Sequence, residues 1–215
     1  MDKKELDALK KLSANIRIDI LKMISHIGQG HIGGSLSIVE VLSVLYGNCM
    51  QHNPKRPNDE NRDRLVLSKG HAGPALYSTL ANVGYFDKEM LYTLNQGGTN
   101  LPSHPDKNKT PGVDMTTGSL GQGISVAAGI AKGLKMKKSN NYVYAIVGDG
   151  ELNEGQCFEA FQFIAHYQLD NCIVFIDDNK KQLDGTTKET MNPFSIVDKM
   201  KPFGFHVKEV KGNKE

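Results

Sequence analysis

Residues 142–150, Tyr-Val-Tyr-Ala-Ile-Val-Gly-Asp-Gly, decide how this chain is read. Six apolar residues run straight into Gly148-Asp149-Gly150. That pattern predicts a short buried strand over Tyr142–Val147 that stops at a polar turn. Downstream, Gly155–Gln168 has helical character. Asn171–Ile176 is a second apolar run, closed by Asp177-Asp178-Asn179. Strand, helix and strand, with a polar cluster after each strand, predict a βαβ unit and a parallel sheet. Ligands of such sheets sit at the carboxyl ends of the strands, where both clusters lie. Phe205–Val210 is a third candidate strand.

Upstream, Arg64–Ser68 reads as another short buried strand, followed by a turn at Gly70-His-Ala-Gly73 and a helix over Pro74–Gly84. Leu6, Leu9, Ile16, Ile20 and Ile24 recur at helical spacing, so 3–25 is expected to be an amphipathic helix, broken at Gly28-Gln-Gly30. Ser37 with Glu40 three residues later has the pattern of a capping box opening a second helix. Residues 51–64 and 95–114 are polar and rich in Pro or Gly, and so are loops. The second is long enough to suggest function. Gly121–Lys138 is a helix rich in small residues. Gly28-x-Gly30-x-x-Gly33 matches a dinucleotide fingerprint formally, but a helix precedes it where a strand is required.

The 215 residues fit one domain, 1–215. Apolar residues at 39% provide for a core. Net charge is +2, and basic and aromatic residues are not interleaved, so no nucleic-acid partner is expected. The longest strongly apolar stretches, such as Tyr142–Val147, are too short to span a bilayer, so no membrane is expected. The charged start MDKKELDALKK is no export signal, and Cys49, Cys157 and Cys172 form no CxxC pair. Reduced thiols in a cytoplasmic protein are expected. The helix that usually follows a third strand cannot fit in Lys211–Glu215. The domain is therefore read as truncated, without its C-terminal helices, or as completed by another chain.

Asp149 follows one strand and Asn179 the next, thirty positions later. A carboxylate and a neutral amide oxygen form a hard, oxygen-only ligand pair. That suits Mg²⁺, with Ca²⁺ or Mn²⁺ as substitutes, and phosphate oxygens or water can complete the shell. The helix beginning near Asn153–Gly155 turns a positive dipole end toward the same anion. Taken alone, the residues also fit an Asp-Gly turn and an Asn that caps a loop.

Gly-Asp-Gly followed about thirty residues later by Asn resembles the signature of the thiamine-diphosphate fold. Four further segments are similar to transketolases: Gly30-His-Ile-Gly-Gly-Ser35, Asp63-Arg-Leu-Val-Leu-Ser-Lys-Gly-His-Ala72, Ser103-His-Pro105 with Thr116-Thr-Gly-Ser-Leu-Gly-Gln-Gly-Ile-Ser125, and Gly148-Asp-Gly-Glu-Leu-Asn-Glu-Gly155. The resemblance covers nearly the whole chain. It implies an α/β three-layer sandwich with a mainly parallel sheet, the diphosphate-binding domain of that fold. The α-type subunit of a 2-oxo-acid dehydrogenase shares the Asp-to-Asn signature, but the three His segments suit a sugar channel better. A diphosphate-binding assembly module without catalysis is the reading from another class.

The resemblance further implies thiamine diphosphate as cofactor, and a metal held by Asp149, Asn179 and the Lys181 carbonyl. Gly150 would meet the diphosphate, and Gly118 and Leu120 the rings. His31, His71 and His104 would line the channel to the substrate. Glu154 would join a carboxylate network between two active sites, and Glu159 is read as surface or interface. The implied reaction moves a two-carbon ketol unit from a ketose phosphate to an aldose phosphate, as in the pentose phosphate pathway. The glutamate that activates the cofactor belongs to the pyrimidine-binding domain, which these residues do not match. A separate transketolase C-terminal subunit is therefore the expected partner, in a dimer or heterotetramer.

Overall fold

The structure is a computed structural model, and residues 1–212 are described. Of the stretch Lys211–Glu215, Gly212 is the last residue inside that range. Contacts gather the chain into two compact units: Met1–Asp63 and Gly70–Thr116 with Gly212, and Arg64–Lys69 with Thr117–Lys211.

The first unit is helical. Helix α1, Lys3–Ile27, opens with a reciprocal box in which the Asp2 side chain accepts from the Glu5 N–H, and it ends at Gly28. Leu9, Ile16, Ile20 and Ile24 of its predicted stripe are buried and Leu6 is half-buried, with Met23 buried beside them. Each fully buried aliphatic side chain contributes about 1.5–3 kcal/mol. Helices α2 (Ile32–Leu36) and α3 (Val39–Val44) follow, and then a π-turn, Leu45–Cys49. Helix α4 is Gly73–Asn82. Both α3 and α4 pack on α1.

One expectation fails in this unit, and another is incomplete. Ser37 does not cap α3, because its backbone is already right-handed helical at φ −67° and ψ −18°. A cap needs an extended residue. The Ser37 hydroxyl donates instead to the Gly34 carbonyl, and Glu40 pairs with Arg17. The membrane expectation is also too narrow. Ile32–Cys49 is an 18-residue helical run of mean hydropathy 1.3, long and apolar enough by length and composition to cross a bilayer. Core helices and segments near an N-terminus pass the same test; 39% of this run is buried, Ile38, Val39, Leu42, Leu45 and Tyr46 among it. Glycine and serine dilute the run, which hides it from a search for strongly apolar stretches.

The second unit is α/β. Strand β1 is Arg64–Leu67, helix α5 Gln122–Met136, strand β2 Val143–Gly148, helix α6 Gly155–His166 and strand β3 Cys172–Asp177. The sheet order is β1-β2-β3, with both pairs parallel. All six residues of β2 are buried, as befits a central parallel strand. Helix α5 packs on β1 and β2, and α6 packs on α5. A small hairpin follows, β4 (Lys181–Gln182) with β5 (Gly185–Thr186). Short helices α7 (Thr187–Thr190) and α8 (Ile196–Met200) complete the unit. Phe205–Val210 is not a strand. Its alternating pattern is that of a strand, but it pairs with no neighbour there, and pattern without a ladder does not make a sheet. Phe205 instead packs edge-on against Phe161 of α6, with ring centroids 5.8 Å apart.

Candidate functional site

The second unit brings Asp149 and Asn179 together. Strands β2 and β3 are adjacent, and Gly148 stands opposite Asp177 in the register. The two polar clusters therefore leave the sheet side by side. Asp149 is 1% exposed. Its Oδ1 accepts the Gly150 N–H at 2.9 Å, and its Oδ2 accepts the Lys180 N–H at 2.8 Å. Burial pushes its carboxyl above the usual range; the two N–H donors pull it down, and neighbouring Asp178 and Asp177 push it up. Lys180 reaches this position with φ +61°, a strained conformation for a side-chain-bearing residue.

Asn179 Oδ1 accepts the Lys181 N–H at 2.9 Å, and its Nδ2 donates to Asp177 Oδ2 at 3.0 Å. The same Asp177 oxygen takes the Lys69 ammonium at 2.6 Å. Breaking such a buried pair by removing one partner costs about 3–5 kcal/mol. A Cβ on Gly150 would lie 2.9 Å from Gln182 Cγ, so the Gln182 side chain would have to shift to admit one. Its amide, expected to face a diphosphate, is directed at Asp149 in this structure.

Glu151 is the hub beside this turn. It is 2% exposed. Its Oε1 accepts from Ser68 Oγ at 2.5 Å and from the Gly121 N–H at 2.9 Å, and its Oε2 accepts from the Gly148 N–H at 3.0 Å. Burial raises its carboxyl, and these donors offset part of the rise. Gly121 sits at φ +82°, where a Cβ would be 2.9 Å from Glu154 Cβ. Gly118 and Leu120 lie on the segment that Gly121 closes, Gly118 half-buried and Leu120 38% exposed. Glu154 is the exposed N-cap residue of α6 and makes no side-chain cap, and Glu159 is exposed.

The first unit brings the three expected histidines together. His31 stands at the start of α2 and His71 in the turn Gly70–Ala72, with ring centroids 5.3 Å apart. His104 lies on the 95–114 loop, whose approach is fixed by the Tyr77 hydroxyl donating to the Pro102 carbonyl at 2.8 Å. Partial desolvation by its neighbours lowers the His104 imidazole below its usual range, and the proximity of His31 lowers it further.

The chemistry of the donors fits a divalent cation. Each Asp149 oxygen has one lone pair engaged and one left, and Asn179 Oδ1 is in the same state. Among the described residues no three His, Cys, Asp or Glu side chains are grouped to hold a metal, so an ion here would depend on amide and main-chain oxygens. A cofactor also fits: Thr117 Oγ1, next to Gly118, is buried without a hydrogen-bond partner. Buried hydroxyls normally have one.

The family described as "Transketolase, thiamine diphosphate binding domain" matches residues 8–215. This chain belongs to the transketolase family. The α/β fold with a parallel sheet is as expected for it. Among similar transketolase proteins, the 6-deoxy-6-sulfo-D-fructose transketolase subunit SqwG of a Clostridium species is 50% identical over 99% of this chain and 77% of that protein. An apulose-4-phosphate transketolase subunit of Phocaeicola vulgatus is 39% identical over 97% of this chain and 74% of that protein. The solved transketolase from Leishmania mexicana superposes with a TM-score of 0.89 at 33% identity, over 96% of this chain and 32% of that one. The chain thus spans about a third of the solved transketolase it matches.

Sequence reading missed Lys69, Glu151, Asp177 and Thr117 as parts of the site. Lysine and glutamate are rarely buried, and no periodicity marks them. Only their places inside the motif segments carried a signal.

Proposed function

We propose that this chain is the diphosphate-binding subunit of a split transketolase that transfers a two-carbon ketol unit from a ketose to an aldose. The observation that supports this most directly is the convergence of Asp149 and Asn179 at the ends of adjacent parallel strands. Asp149, the Asn179 oxygen and the Lys181 carbonyl would hold Mg²⁺, and the first turn of α6 would face the diphosphate. Thiamine diphosphate, when bound, supplies the nucleophile that cleaves the bond beside a ketose carbonyl. His31, His71 and His104 would bind sugar hydroxyls and move protons between them. A neutral His104 suits that role, because neutral imidazole can accept as well as donate.

The need for a partner rests on relatives named as subunits. The partner would carry the pyrimidine-binding domain, in a dimer or heterotetramer, in the cytoplasm. The substrate reading favours a ketose with an anionic end, sulfonate or phosphate. The relatives' names point to sulfofructose and apulose phosphate.

The experiment mixes this chain with candidate pyrimidine-domain chains, thiamine diphosphate and Mg²⁺, and measures ketol transfer from each ketose. Activity is expected only in the mixture. Full activity from this chain alone would refute the split, and turnover of 2-oxo acids in place of ketoses would favour the dehydrogenase reading.

A further inference from the structure

Lys69 is 1% exposed, and lysine is almost never so buried unless paired. It follows β1 directly, and its N–H continues the sheet by donating to the Ile146 carbonyl at 3.2 Å. Its ammonium lies 2.6 Å from Asp177 Oδ2, the oxygen that also accepts from Asn179 Nδ2 at 3.0 Å. Stability alone is a poor reason for this pair. A buried ion pair replaced by apolar residues often leaves a protein as stable or more so.

The pair has a second consequence. A carboxamide has nearly the same shape at its oxygen and nitrogen ends, yet only the oxygen can ligate a hard cation. Turned over, Asn179 would set its oxygen against the Asp177 carboxylate and its NH₂ against the Lys181 N–H. Both contacts would be repulsive. An ionised carboxylate only accepts, so it sorts the two ends of the amide. The Lys69 ammonium, 2.6 Å from that carboxylate, fixes it in place. It also cancels the Asp177 charge, leaving orientation as what the pair supplies to the site.

We infer that Lys69, acting through Asp177, is a positioning residue that presents the Asn179 carboxamide oxygen to the divalent cation; this rests on the metal reading proposed above. Outer-shell partners of this kind fix ligand orientation.

The test titrates Mn²⁺ by electron paramagnetic resonance into the full chain with thiamine diphosphate present. The double variant Lys69→Met/Asp177→Asn replaces the ion pair by a neutral pair of similar volume. Asn at 177 can turn either end toward Asn179, so only the Lys181 N–H still opposes the flipped orientation. The variant is expected to melt near the temperature of the unsubstituted chain and to bind Mn²⁺ about 10–100-fold more weakly. Unchanged affinity in the folded variant overturns the inference. A second measurement needs no variant. The Asn179 side-chain amide protons, assigned in nitrogen-15 spectra by their loss in Asn179→Asp, should exchange slowly before any cation is added. Exchange at the rate of an exposed amide overturns the inference whatever the variants do. Absence of Mn²⁺ binding to the unsubstituted chain would instead remove the metal reading beneath it.

Discussion

The two units hold their candidate residues in different ways. In the second unit every expected ligand is tied by hydrogen bonds to the main chain or to a buried charge: Asp149 to Gly150 and Lys180, Asn179 to Lys181 and Asp177. In the first unit the three histidines sit on loops and turns. His31 and His104 are exposed, and loop packing sets their positions. Mg²⁺ tolerates little error in ligand geometry. Sugar hydroxyls accept donors and acceptors over a wider range, and bridging water can fill a gap. Under the proposed roles, the hydrogen-bonded scaffold stands where the chemistry demands precision, and the loops where recognition can adapt.

This contrast can be broken most strongly at Asp149. Asp149→Ala should weaken Mn²⁺ binding in the presence of thiamine diphosphate by at least about 100-fold, the upper range for loss of a mere supporting group. Calorimetry checks this, and a change of a few-fold would show the strand ends to be no ligand cradle.

Glycine substitutions sharpen the comparison next. Gly121→Ala forces a side chain into the left-handed region and against Glu154, and should cost about 2–3 kcal/mol in urea unfolding. Gly33→Ala, beside His31, meets nothing within 4 Å. It should change stability by less than about 0.5 kcal/mol. Equal effects would erase the difference in rigidity.

The smallest effect is in titration. Nuclear magnetic resonance should place His104 below the ordinary histidine value of about 6.5. Its folded form then holds fewer protons than its unfolded form. The stability linked to it is full above the ordinary value and declines as pH falls through that value toward the folded one. His31→Ala removes the weaker of the two causes, so His104 should shift upward without reaching the ordinary value.

Much of this was legible in the sequence. The apolar runs of β1, β2 and β3, the stripe of α1 and the small-residue helix α5 follow from periodicity. The pairing of Asp149 with Asn179 follows from strand ends that must be neighbours. What stayed hidden depends on burial of polar groups. Ser37 with Glu40 matched a cap pattern, but a preceding helical turn had already fixed the Ser37 backbone. Phe205–Val210 had the alternation of a strand, yet alternation says nothing about whether a neighbour is there to pair. Lys69 and Glu151 look like surface residues until the sheet closes around them.

Glu151 carries one more consequence. By clasping the Gly121 amide with one oxygen and the Gly148 amide with the other, it makes the segment of Gly118 and Leu120 and the turn of Asp149 a single fixed span. A coenzyme held as proposed, its rings on one and its diphosphate on the other, would be measured against a ruler. Analogues with a lengthened or shortened tether between those two ends would meet a frame that does not stretch.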